Sequence, residues 1–91
     1  MKLLSQDQID HTLHQHPNWA LSEGQFTREW TFPDFAHAMT FVNRVAELAE
    51  ESNHHPDIDI RYNRVRLTLI SHDAGGLTLR DARMVAQIDP L

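Results

Sequence analysis

Ninety-one residues, with eight basic against thirteen acidic side chains, no cysteine and a net charge of −5, exclude much before any motif is read. A chain this short builds one core and one domain, over residues 1–91. Its acidic balance argues against a partner held by a phosphate backbone, and the missing thiols exclude disulfides, thiolate zinc sites and a thiol nucleophile.

No apolar run approaches the roughly 18 residues of a membrane span. The N-terminal MKLLSQDQ lacks the apolar segment of a signal peptide, so a small soluble cytoplasmic protein is expected. Seven histidines are the compositional oddity.

The first helix opens at Ser5, with Gln8 completing a capping box and Leu4 and Ile9 a hydrophobic staple. Ile9 and Leu13 form its narrow apolar stripe, and Pro17 forbids continuation. His11, His14 and His16 read as polar surface. Trp19-Ala20-Leu21 is a short strand, Ser22-Glu23-Gly24-Gln25 its turn, and Phe26 to Phe32 an alternating second strand. Its aromatic side, Phe26, Trp30 and Phe32, points to a sheet core, which is also the expected place of Trp19.

Pro33-Asp34 opens a long helix that runs to about Asn53. Phe35, Ala38, Met39, Val42, Val45, Ala46 and Ala49 make one broad apolar face, which leaves Phe41 and Leu48 for another subunit or the surface. Glu47, Glu50 and Glu51 crowd the C-terminal end, where the macrodipole disfavours anions, and this suggests a task for one of them.

His54-His55-Pro56 ends the helix, and a hairpin follows. Ile58, Ile60 and Tyr62 alternate before Asn63-Arg64, and Val65, Leu67 and Leu69 after it. With Asn63-Arg64 as the turn, Ile60 opposes Leu67 and Ile58 opposes Leu69, giving one wholly apolar face. The same pairing continued past Pro56 sets His55 across from His72, with His54 beside them. Gly75-Gly76 then makes a flexible turn, and Thr78, with Asp81 three residues on, caps the last helix.

The order is α-β-β-α-β-β-α. An α+β fold is expected, with a four-stranded antiparallel sheet and three helices on one face. Thr68, Ile70 and His72 lie on the other face, which needs water, a ligand or a partner to cover it.

Three readings suit His54, His55 and His72. A metal site with Asp57 or Asp59 is one, although neither an HxxxH helix pair nor an HxH strand pair supports it. A purely structural role is the second. Metal-free acid–base catalysis is the third, since an imidazole with an unperturbed pKa of ~6.5 holds or releases a proton near neutrality. No serine or cysteine stands beside them as an evident nucleophile, which favours proton shuffling over acyl transfer.

Glu50, His54-His55-Pro56, Tyr62, His72 and Asp81, in this order and spacing, resemble the pattern of the pterin-4a-carbinolamine dehydratases. The similarity extends to Trp19, Asp34-Phe35, Val45-Ala46, Ala49 and Gly76-Leu77. It implies dehydration of a 4a-hydroxytetrahydropterin to a quinonoid dihydropterin, recycling the cofactor of aromatic amino-acid hydroxylases. His54 and His72 would be the acid–base pair and His55 would hold the pterin beside Pro56. Glu50 and Asp81 would orient the histidines, and backbone groups at Ser71, Asp73 and Ala74 would meet the pterin edge.

The resemblance implies no metal or cofactor, the pterin being substrate, and an assembly as homodimer or homotetramer. Animal members carry an aromatic where this chain has Asp57-Ile58-Asp59 and a cysteine at Ala74, so substrate stacking is expected to differ. Two alternatives stand: a non-catalytic interaction or coactivator-type protein, and action on another pterin such as one of molybdenum-cofactor metabolism.

Overall fold

The computed structural model describes all 91 residues. Its elements are α1 (Gln6–Gln15), β1 (Ala20–Ser22), β2 (Gln25–Thr31), α2 (Phe35–Ser52), β3 (Asp57–Arg61), β4 (Arg64–Leu69), a 3₁₀ turn (His72–Ala74) and α3 (Leu79–Ile88). The strands form one antiparallel sheet in the order β1-β2-β4-β3, so the α+β architecture is the expected one.

The helix ends follow local chemistry. Ser5 Oγ accepts from the Gln8 amide at 3.2 Å, and the Gln8 side chain accepts from the Ser5 amide at 2.8 Å. Thr78 and Asp81 repeat this box at α3. Asp34 caps α2 by accepting from the His37 amide, and Asn53 ends that helix at φ 48°, a left-handed conformation that asparagine tolerates. Glu23 and Gly24 join β1 to β2, both at positive φ as a tight hairpin turn requires.

Three expectations about the sheet and its long helix fail, each through tertiary contacts, and His16, read as polar surface, is half-buried against Asp89 instead. The β3–β4 turn is Tyr62-Asn63 rather than Asn63-Arg64, so Ile58 pairs with Leu67 and Ile60 with Val65. Asn63 selects this register: its side-chain amide donates to the Phe32 carbonyl at 2.9 Å, and its own carbonyl accepts from the Phe32 amide at 2.8 Å. A slip of two residues keeps each side chain on its face but changes every partner. Continued past the ladder's end, the pairing would set His55 across from Ile70 and not His72.

The second failure is the wholly buried hairpin face. Val65, Leu67 and Leu69 are fully buried, but Ile58, Ile60 and Tyr62 are 37%, 38% and 66% exposed. β3 is an edge strand, and the helices do not cover it. The third is the rotation of α2. Phe41 and Leu48 pack into the core while Phe35 and Ala46 are exposed. The aromatic side of β2 sets this rotation, because the Phe41 ring lies 4.7 Å from Trp30 and 5.2 Å from Phe32.

At the far end of the core, Asp89 gathers three elements. Trp19 Nε1 donates to its carboxylate at 2.8 Å, Arg28 at 2.6 Å, and His16 pairs with its other oxygen. Partial burial pushes the Asp89 carboxyl up. Hydrogen bonds from His16 and Trp19, with the charges of His16 and Arg28, outweigh that and hold it below its usual 3.8. A depressed folded-state pKa stabilises the fold above the unfolded value, and this contribution disappears as pH falls through the folded one. Acid unfolding should therefore set in below about pH 4, and Asp89→Asn should flatten that limb of the stability curve. An unchanged acid limb in the variant, followed by circular dichroism, would contradict this assignment.

Candidate active site

Three chain segments meet where β4 runs out and β3 begins. The end of α2 delivers Glu50 and, past Asn53, His54 and His55. The exit of β4 delivers Ser71 and His72, and the first turn of α3 delivers Asp81. The capping box that starts α3 therefore fixes Asp81 before any histidine is involved.

His54 is 8% exposed, and its Nε2 lies 2.6 Å from Oδ1 of Asp81, which is wholly buried. The other carboxylate oxygen accepts from the Ser71 hydroxyl at 2.8 Å and from the Thr78 amide at 2.9 Å. The Thr78 hydroxyl stands 2.9 Å from Ser71 Oγ and completes the chain of donors. Asp81 thus both caps α3 and holds a histidine. With Asp81 accepting, Nε2 of His54 carries the hydrogen and Nδ1 is left as the acceptor of the neutral ring.

His55 and His72 are different in kind. Both are exposed. Nε2 of His55 pairs with Glu50, one turn back along α2, on the open surface. His72 opens the 3₁₀ turn, which closes at Gly75 with φ 75°, a conformation natural to glycine. The turn is pinned by a bridge between Ser71 and Gly76 and by an ion pair between Asp73 and Arg80. The Arg80 hydrogen bond holds the Asp73 carboxyl below the usual carboxylate range. Pro56 is buried and Ala74 half-buried.

His54 also lines a hollow of about 250 Å³, together with Ser52, Arg80, Arg83, Met84 and Gln87. A larger depression, about 490 Å³, lies on the outer face of the sheet around Thr27 and Thr68 and is lined by none of the histidines. Of these two, only the smaller hollow is lined by a histidine. Sequence reasoning missed Arg80 and Arg83; their only signal is their position on either side of Asp81 in one helix. No group of three or more His, Cys, Asp or Glu side chains is arranged to hold a metal ion. No helix is long and apolar enough to cross a membrane.

Fold and site together define an α+β protein built around a buried histidine–aspartate pair, an arrangement suited to moving a proton at a defined ring nitrogen. The model of the pterin 4 alpha carbinolamine dehydratase family matches residues 2–91, and the chain belongs to that family. A relative from Acidobacterium capsulatum, provisionally named a pterin-4-alpha-carbinolamine dehydratase, is 53% identical over all of this chain and 99% of its own. One from Chloroflexus aurantiacus with the same provisional name is 50% identical, over all of this chain and 98% of its own.

Among solved structures, a transcriptional coactivator/pterin dehydratase from Brucella melitensis superposes with a TM-score of 0.92 at 30% identity, covering 98% of this chain and 97% of that one. A pterin dehydratase-like RuBisCO assembly factor of the alpha-carboxysome, 24% identical with a TM-score of 0.68, shares the fold over 85% of this chain and 92% of its own.

Proposed function

We propose that this chain dehydrates a 4a-hydroxytetrahydropterin to the quinonoid dihydropterin by histidine acid–base catalysis, within the cofactor recycling of aromatic amino-acid hydroxylases. The observation that carries this reading is the buried His54–Asp81 pair, fastened to Ser71, the residue next to His72. In the reaction, N5 loses its proton, the C4a–O bond breaks, the C4a=N5 bond forms, and the hydroxyl leaves as water after taking up a proton. Neutral His54, its tautomer set by Asp81, takes the N5 proton at Nδ1. His72, exposed and able to exchange with solvent, gives a proton to the departing hydroxyl.

His55, steadied by Glu50, holds the pterin against Pro56, while the backbone at Asp73 and Ala74 meets the ring edge. The Ser71 amide and carbonyl are already bonded within the turn and its hydroxyl to Asp81, so we assign Ser71 to holding the carboxylate. No metal or cofactor takes part in this scheme. Dehydration of a carbinolamine generated in situ, followed in the presence of a chelator, tests it: unabated turnover is expected, and loss of turnover on chelation would restore a metal.

Assembly into a homodimer or homotetramer is part of the proposal. β3 offers an unpaired backbone edge flanked by exposed Ile58, Ile60 and Tyr62, and a domain this small gains from covering them. Ile60→Glu should shift sedimentation toward a 10.6 kDa species with the fold kept, whereas Phe41→Glu should unfold the chain from its core. A wild type that sediments as 10.6 kDa at micromolar concentration would contradict the assembly.

A further inference from the structure

Consecutive residues of a helix point about 100° apart, and the first turn of α3 sends two neighbours to different partners. Asp81 holds His54 and the Ser71 hydroxyl. Arg80, beside it, donates from a terminal nitrogen to Asp73. Ser71 and Asp73 are the residues on either side of His72. Both neighbours of the proposed proton donor are therefore tied to one helix start. That start is itself firm: the Arg80 amide donates to the Thr78 hydroxyl at 3.2 Å, and this hydroxyl stands 2.9 Å from Ser71 Oγ.

The two ties act at different levels of the turn. Ser71 is buried, and its bridge to Gly76 closes the base. His72 and Asp73 are exposed above that base, and Arg80 reaches Asp73 there from α3. The Arg80 hydrogen bond holds the Asp73 carboxyl below its usual range, so the pair stays ionised through neutrality. An exposed ion pair adds little to stability, so its value lies in where it holds the turn.

We infer that Arg80 is a positioning residue for His72, setting through Asp73 the place from which that imidazole gives its proton. This rests on the proposed dehydratase activity and on His72 as its donor. Misplacing a reacting group by about 1 Å costs up to roughly a hundredfold in rate. Loss of the pair should therefore appear in kcat, while KM and melting temperature change little.

The test is a double-variant cycle on carbinolamine dehydration, with the spontaneous rate subtracted and melting followed alongside. Arg80→Gln and Asp73→Asn should each lower kcat by about ten- to a hundredfold, and together by no more than either alone. Arg80→Lys keeps a charged donor for the contact with Asp73 and should recover most of the rate. In a His72→Ala background, Arg80→Gln should cost nothing further. A wild-type kcat in Arg80→Gln would overturn the inference. So would a loss that persists without His72, or one read as a raised KM, since either places Arg80 against the substrate beside His54. Those results leave the dehydratase reading intact. A wild type no faster than solution, or a His72→Ala protein as fast as the wild type, would remove the proposed donor and this inference together.

Discussion

Replacing Asp81 should damage fold and catalysis separately, and two substitutions tell the losses apart. Asp81→Ala leaves the His54 ring, the Ser71 hydroxyl and the Thr78 amide without their common acceptor in a wholly buried place. Removing one partner of a buried pair costs about 3–5 kcal/mol. In a domain of this size that lowers the melting temperature by roughly 12 °C or more. Asp81→Asn keeps shape and one acceptor, enough for the α3 cap. Its amide nitrogen then faces His54 Nε2, which must become the acceptor and move the ring hydrogen to Nδ1. The base is lost with the fold retained, so turnover should fall by about 10²–10⁴ while melting changes much less. Calorimetry and steady-state kinetics on both variants check this. An Asp81→Asn protein with wild-type turnover would mean that the tautomer of His54 is immaterial.

The histidines should separate by what their removal does to stability. His54→Ala and His72→Ala should each lower turnover strongly, by up to about 10²–10⁴, since each supplies one half of the proton traffic. His54→Ala also strands a buried carboxylate and should destabilise the fold by a few kcal/mol. His72 is exposed at the start of a turn, and its loss should leave melting almost unmoved. His55→Ala, which removes a surface partner of Glu50, should raise KM more than it lowers kcat. A His72→Ala variant with full activity would strip that residue of its role.

Most of the architecture was legible because it is written locally. Ser5 with Gln8 and Thr78 with Asp81 announce two helix starts, and alternation in β2 and β4 announces two strands whatever else the chain does. The errors lie where distant residues decide. Asn63 reads equally well as the first or second residue of a turn until Phe32 is known to sit beside it. The apolar face of α2 is ambiguous by one step until the aromatic row of β2 selects Phe41. Ile58 and Ile60 alternate as buried residues do, yet an edge strand leaves them half covered.

The site was legible only in part, for the same reason. The spacing picked out His54 and Asp81, which the structure brings into contact, but the hairpin pairing offered as the means of gathering the histidines is not formed. What joins His54 to Ser71, beside His72, is the carboxylate of Asp81, which reads along the sequence as a helix cap. Arg80 and Arg83 read as ordinary surface charge because nothing near them in the chain reveals the hollow they line.

The most direct measurement is the rate at which a 4a-hydroxytetrahydropterin, generated in situ, loses water in the presence of this protein. Stopped-flow absorbance of the quinonoid product follows it, with the spontaneous rate and the His54→Ala/His72→Ala double variant as references. A rate well above the spontaneous one is expected for the wild type, and a fall to the spontaneous rate in the double variant. A double variant that dehydrates the carbinolamine as fast as the wild type, or a wild type no faster than solution, would contradict it.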